Sequence, residues 1–407
     1  MSERASFVLK LLAFLAATGL LAFGLYFVFF RQAAPVTVDE ADTDTSTGGS
    51  LPTSGLGGAN GTDGDGNSET DDDGRLPPSE VANGGETFTN LLTNTRIVSP
   101  TVTAGGSVAY YDPADGRFYT INSEGDVVAL SRAQFPEAEN VVFSNGASAA
   151  VIEFPDGSNV IYDFTSAQQV TLPNHWEEFS FTGDGTQVVG KSIGSDPANR
   201  ALVITSTDGS STEVIANLGE NDGKIDVNVS PSNSIVGFSR TGGVENAFGR
   251  QEIYLIGMDG EATGILIVDG SSFSGIWSPD GGHLLYSVAD PNDNYRAALW
   301  YVDSRGDRKG DVRMKIGIKT TVDKCTFAST DHIYCAVPRE MSSGGGSDSR
   351  SNDSYDDVYV ISTSSGRATL VAIPAADTRM FDLRLNEDDS LLYYTDGSGR
   401  LNYIRLE

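Results

Sequence analysis

Ile276-Trp277-Ser278-Pro279-Asp280-Gly281-Gly282-His283-Leu284-Leu285-Tyr286 packs an apolar run, a tight turn and a second apolar run into one short phrase. Proline presets the turn's φ and glycine supplies the positive φ a reversal needs, while Ile, Trp, Leu and Tyr suit a pleated, buried strand. The phrase recurs. Comparable turns fall at Ala104-Gly105-Gly106, Ser144-Asn145-Gly146, Gly183-Asp184-Gly185, Pro231-Ser232-Asn233, Ser329-Thr330-Asp331 and Glu387-Asp388-Asp389, each between strand-like runs. A third run is legible in most units, as at Ala201 to Thr205 and Leu401 to Leu406. Spacings of roughly 40 to 60 residues match a propeller blade of four short strands, a unit that buries its faces only by stacking on copies of itself. The expected fold class is therefore all-β, a seven-bladed β-propeller over residues 87–407.

The last unit stops after its third strand, which would leave a sheet edge open. Phe88-Thr89-Asn90-Leu91-Leu92-Thr93-Asn94-Thr95 precedes the first unit and reads as an outer strand. Residues near 87–96 are thus expected to complete the seventh blade and join the two ends of the domain.

The phrase resembles the TolB-type β-propeller repeat family, whose hallmark is an apolar or aromatic residue, then Ser-Pro-Asp-Gly, then an apolar strand. Trp277 to Tyr286 fits that pattern, Phe181 to Val189 follows it loosely, and Val229 to Phe238 keeps Ser230-Pro231 without the Asp-Gly. The resemblance covers about residues 87–407 and implies a non-catalytic protein-binding module of the cell envelope. Propellers host many unrelated tasks, so the fold alone does not name one.

Upstream of the repeats the composition changes twice. Residues 11–30 form an uncharged, mainly apolar run that as a helix spans roughly 30 Å, the thickness of a bilayer core. Residues 1–10 supply Arg4 and Lys10, whereas Asp39, Glu40, Asp42 and Asp44 follow the run. The positive-inside bias then predicts a single-pass signal anchor with a cytoplasmic N-terminus and the propeller outside the cytoplasm. A cleaved signal peptide is the competing reading, with Ala33-Ala34-Pro35 as its small-residue site, but the apolar run is longer than an h-region and proline follows the cleavage point. Residues 31–86, rich in Gly, Ser, Thr and Asp, read as an acidic flexible linker with an r.m.s. span of roughly 40 Å. Within it, Asp63-Gly64-Asp65-Gly66-Asn67-Ser68-Glu69 resembles the opening of a Ca²⁺ loop. Ser68 stands where the turn glycine belongs and Gly74 where the bidentate Glu would be, so a solvated linker is the expected reading.

A net charge of −29 over 407 residues excludes a nucleic-acid binder, which needs clustered Lys and Arg. The three histidines, His175, His283 and His332, show no metal-ligand spacing, and neither a metal site nor a cofactor is expected. Gly190-Lys191-Ser192-Ile193-Gly194 matches the nucleophile-elbow string of hydrolases, yet it ends a strand and no helix pattern follows. Asp356-Asp357 and Asp388-Asp389 are adjacent carboxylates at turns, where turn formation is the expected role. No catalytic residue is assigned. Cys325 and Cys335 flank one hairpin turn, so directly opposite, non-hydrogen-bonded positions would allow a disulfide in an oxidising compartment; two free thiols are the alternative.

Loops between the second and third strands emerge on one face of a propeller, and here they vary most. Three end in arginine, at Arg200, Arg250 and Arg296, with Phe248 and Tyr295 beside two of them. Arginine and aromatics on one rim make a candidate patch for a protein partner. The alternative is that each arginine pairs with a neighbouring acid. The stretch Ser342 to Asp353 reads as a mobile loop on the same face. The expected function is protein binding or scaffolding in the cell envelope; the alternatives are a glycan or small-solute binder using the central channel and, third, an enzyme with channel carboxylates.

Overall fold

The computed structural model describes residues 77–406 apart from 246–248, 306–309, 311–312 and 329–330. The anchor at residues 11–30, the Ca²⁺-like stretch, most of the linker and Phe248 lie outside the described residues. Among the described residues no helix is long and apolar enough to cross a membrane.

Seven antiparallel sheets follow one another along the chain. Their first strands are Val98–Val102, Asn140–Phe143, Trp176–Phe181, Ile225–Val227, Ser271–Trp277, Cys325–Phe327 and Met380–Leu385, and we number the blades 1 to 7 in that order. First strands of neighbouring blades pack side by side around the axis from blade 1 through blade 4, from blade 6 to blade 7, and from blade 7 back to blade 1. Sheet order then runs outward through the second, third and fourth strands.

The reason for the ring lies in what each sheet buries. Seven apolar layers form, each drawn from two consecutive blades. Tyr110 and Ile121 of blade 1 share one layer with Tyr393 and Leu401 of blade 7, which closes the circle. Second strands sit between two partners and two faces, and so they are largely buried: Ile235–Ser239 is buried at every position. Each fully buried apolar side chain contributes about 1.5–3 kcal/mol. Outer strands face water on one side, and in Thr212–Asn217 no residue is fully buried.

The recurring turn owes its spelling to a hydrogen-bond pattern. In blade 5, Ser278 Oγ accepts from the His283 backbone N–H (2.9 Å), Gly281 N–H donates to the Ser278 carbonyl (2.8 Å), and Gly281 takes φ +65°. Asp280 accepts from Ser278 Oγ and from Gly282 N–H, at 2.5 and 2.9 Å. Blade 4 repeats the device with Ser230 and with Asn233 at φ +58°, blade 3 with Thr182, blade 2 with Ser144 and blade 7 with Asn386. A side-chain oxygen at that position caps the first N–H of the second strand, which is why Ser, Thr or Asn stands there. Neighbouring turns also touch: Gly183 N–H donates to Asn233 Oδ1 (2.7 Å), and a Cβ on Gly183 would run into the Pro231 carbonyl.

The ends of the domain meet as the strand count required. Asn90–Leu91 pairs antiparallel with Asn402–Tyr403 as the fourth strand of blade 7, and Thr93 Oγ1 accepts from Leu401 N–H at 2.9 Å. A second contact is not legible in the residues. Glu86–Thr87 adds parallel to Ile373–Pro374, giving blade 6 a fifth strand. Residues 77–86, polar enough to read as linker, therefore belong to the folded domain. Their backbone makes the difference: Ala82 and Gly84 N–H groups donate to the carbonyls of Arg405 (2.9 Å) and Val371 (2.7 Å).

Candidate functional site

Because the sheets are antiparallel, the short turns between first and second strands lie on one face and the loops between second and third strands on the other. We call these the lower and upper faces. Five cavities open on the upper face, where the blade-to-blade connections also emerge.

The three loop arginines are each tied to an acid there. Arg200 reaches Asp222 (2.9 Å), Arg250 reaches Asp269 (3.0 Å) and Arg296 reaches Asp293 (3.1 Å). Their ion pairing thus agrees with the alternative reading, and only part of the patch is brought together. Arg250 and Tyr295 line one depression of about 340 Å³ with Val244 and Pro291. Arg296 lies on a separate cavity of about 770 Å³ beside Arg339 and Tyr355, and Arg200 lines neither. Tyr295 is 54% exposed and holds φ +56°, next to Asn294 at φ +53°. A bulky residue in this region costs about 1–2 kcal/mol, so its surroundings must hold it there. They do: Tyr295 N–H donates to the Asp290 carbonyl (2.8 Å), and Gly346 N–H donates to the Tyr295 carbonyl (2.9 Å).

Gly346 belongs to the long stretch expected to be mobile, and here the structure differs. Residues 339–356 form a strap docked across the upper face. Arg296 Nε donates to the Met341 carbonyl (2.8 Å), Gly344 N–H donates to the Asn294 carbonyl (2.9 Å), and Asn352 Nδ2 donates to the Glu340 carbonyl (3.1 Å). Gly345, Gly346, Ser349 and Asn352 are buried. The glycines serve close approach, since a Cβ on Gly346 would meet the backbone of Tyr295 and Ala297.

Under the strap lies a buried ion pair. Lys324 Nζ contacts both carboxylate oxygens of Asp356 (2.6 and 2.7 Å), and Asp356 also accepts from Met380 N–H (2.7 Å). Burial pushes the Asp356 carboxyl up and the Lys324 ammonium down from their ordinary values, with their mutual attraction opposing both shifts. Phe381 sits among three cations: Lys324 Nζ at 5.0 Å, and the guanidinium carbons of Arg350 at 4.8 Å and Arg379 at 5.3 Å from its ring centre. A second buried lysine, Lys191, meets Glu178 at 2.6 Å.

Four first strands carry a bulge with a residue at positive φ: Ser99, Glu178, Ser272 and Asp382, in blades 1, 3, 5 and 7. A bulge re-aims side chains at the centre of a ring. Ser99 and Asp382 line a cavity of about 480 Å³ at the upper mouth of the central channel, with Asn140, Arg96, Arg350 and Ser398.

The remaining sequence candidates have structural positions. Ser192 ends the second strand of blade 3, paired with Ala201 and Trp176, and no strand-to-helix turn follows it. Asp388 Oδ1 accepts from Ser390 N–H (3.1 Å) and Oγ (2.6 Å), which hold its carboxyl below the usual range. Asp357 pairs with Arg339 at 2.9 Å. His283 stacks on Tyr301 with ring centres 5.0 Å apart. Cys325 and Cys335 are directly opposite and joined by a disulfide, with a Cα separation of 4.1 Å. Among the described residues no three His, Cys, Asp or Glu side chains converge as a metal cage would require. Arg96, Arg350, Asp382 and the Lys324–Asp356 pair escaped the sequence reading; a Lys and an Asp buried in adjoining elements carry no spacing signal, but Arg96 just before a first strand was visible.

No family model matches this chain, and no curated protein matches it. Solved structures do. An oligogalacturonate lyase in complex with manganese is 14% identical, with a TM-score of 0.51 over 79% of this chain and 90% of that one. The Cps50 (Swd1) β-propeller domain of Myceliophteria thermophila is 12% identical, with a TM-score of 0.51 over 79% of this chain and 100% of that one. At such identities the likeness establishes the β-propeller fold and nothing finer.

Proposed function

We propose that this chain is a TolB-type propeller whose work is protein binding rather than catalysis, held outside the cytoplasm by an N-terminal membrane anchor and an acidic tether. The Ser278-Pro279-Asp280-Gly281 phrase supports the family reading, and the apolar run 11–30 supports the anchor. The disulfide between Cys325 and Cys335 fits an oxidising compartment.

One observation carries the binding role. On the upper face, exposed Tyr295 is clamped at positive φ beside Arg250, Val244 and Pro291, so an aromatic, an arginine and aliphatic surface meet in one shallow depression. Aromatic and arginine side chains dominate the energetics of protein interfaces, and a pre-set conformation lowers the entropic cost of docking. Crosslinked pull-down of the full chain from its native membranes tests this. A specific protein is expected to co-purify with the native chain and to be lost with Arg250→Glu and Tyr295→Ala. Retention of the same proteins by both variants would refute the docking patch. Sequencing the mature N-terminus tests the anchor separately, since a start near Pro35 would remove it.

A further inference from the structure

We propose that the cavity at the upper mouth of the channel is a carboxylate-binding site, with the guanidinium groups of Arg96 and Arg350 as its clamp. The argument begins with charge. In this acidic chain most described arginines are tied to carboxylates, as Arg200, Arg250, Arg296, Arg339, Arg379 and Arg400 are. Among the described residues Arg96 and Arg350 reach no carboxylate, and both line the same cavity of about 480 Å³.

Each of the two is placed there by the fold. Arg96 ends the connection from the outer strand of blade 7 into blade 1, and its stem lies over Gly399, where a Cβ would collide with its Cγ. Arg350 is delivered by the strap and rests on the Phe381 ring. Around Phe381, Asp356 answers Lys324 and Asp353 answers Arg379, while the third cation, Arg350, has no counter-charge among the described residues.

Two carboxylates also line the cavity, and both are engaged. Asp396 pairs with Arg400 (2.8 Å) and accepts from the N–H groups of Ser398 (2.8 Å) and Arg400 (3.0 Å). Asp382 accepts from Thr395 Oγ1 (2.8 Å), and Arg384, two residues on, donates only to the Leu383 carbonyl (2.7 Å). The local balance is therefore cationic. Guanidinium pairs bind carboxylates through charge-assisted, forked hydrogen bonds. Ser99, Asn140 and Ser398 add neutral polar groups to the lining, which suits a ligand whose body is itself polar. A free hydroxy acid, such as a sugar acid, and an acidic peptide side chain share that chemistry.

This site is separate from the Tyr295 depression, and a carboxylate bound here neither requires nor excludes a protein docked there. Isothermal titration of the detergent-solubilised full chain with glucuronate and hexaglutamate, against glucose and hexaglutamine, tests it. At least one acidic probe is expected to bind 10-fold or more tightly than its neutral counterpart, and to weaken 10-fold or more in Arg96→Gln and in Arg350→Gln. Arg117→Gln, a rim arginine outside the cavity, should change nothing. Preference for glucuronate identifies a free hydroxy acid and preference for hexaglutamate an acidic peptide; either supports the site. Acidic probes no better than neutral ones, or binding kept in the Arg96→Gln/Arg350→Gln double variant, would overturn it. Arg96 has no carboxylate partner among the described residues to lose, so Arg96→Gln is expected to melt like the native chain and decides the matter by itself if Arg350→Gln fails to fold.

Discussion

The lower face of this ring repeats one capped turn in five blades, whereas the described loops of the upper face range from four residues to a long strap. Below, Ser278, Ser230, Thr182, Ser144 and Asn386 perform the same capping task at the same place. Above, blades 1 and 7 spend four residues between their second and third strands, 113–116 and 397–400, and blade 6 lays an extended strap over its neighbours. The lesson is where selection by packing ends. Lower turns must fit one another, as Gly183 must fit Pro231, so their chemistry is held to a narrow choice. Upper loops join strands that already pair, and their length and charge are free to serve another purpose.

Ring closure is the condition for having two faces, and breaking it should have the largest effect. A chain starting at Ile97 loses Glu86–Thr87 and Asn90–Leu91, the outer strands of blades 6 and 7. It is expected to lose cooperative melting or to melt at least about 10 °C lower, by the usual relation of stability to Tm. Calorimetry that matched the native domain would show that the blades hold without the seam.

Next in size is the buried pair under the strap. Lys324→Ala strands the Asp356 carboxylate and should cost about 3–5 kcal/mol, whereas Lys324→Met with Asp356→Leu should recover most of it. Chemical denaturation of the single and double variants measures both. Equal losses would mean that the pair's own attraction, rather than the stranded charge, is what matters.

A lower-face cap is expected to count for less. Ser278→Ala leaves the His283 N–H without its partner in a buried turn and should cost about 1–3 kcal/mol. The same turns predict an acid limit. Asp184, Asp280 and Asp388 are held below the ordinary carboxyl value by hydroxyl and N–H donors. Their stabilisation is present above the unfolded value of about 4 and is lost as pH falls through the lower folded values. Thermal melts below pH 4 should decline more steeply in the native chain than in Asp280→Asn.

The smallest effect is expected at the upper rim. Arg250→Glu breaks an exposed pair with Asp269 and should change stability by about 1 kcal/mol or less. A large drop in Tm would assign Arg250 to the scaffold and remove it from the docking patch.

How much of this was legible follows the same division. Ser-Pro-Asp-Gly between apolar runs carries its own local instruction, a turn with a cap and a positive φ, and seven strand–turn–strand phrases at blade spacing point to a closed ring without reference to distant residues. The outer strand at Asn90–Leu91 was inferable because an unpaired edge demands a partner. Residues 77–86 were not, since their pairing depends on backbone groups that any polar sequence offers. The strap shows the same limit: its glycines read as freedom, yet Gly346 is there because the Tyr295 backbone leaves no room for a Cβ. What the sequence by itself determined is thus the blade, its repetition and its count, because turns and strand periods are local. Only the tertiary structure decided which arginines are paired with acids and which stand open at the channel mouth, because charge neutralisation is settled between residues far apart in the chain and brought within a few ångströms by the closing of the ring.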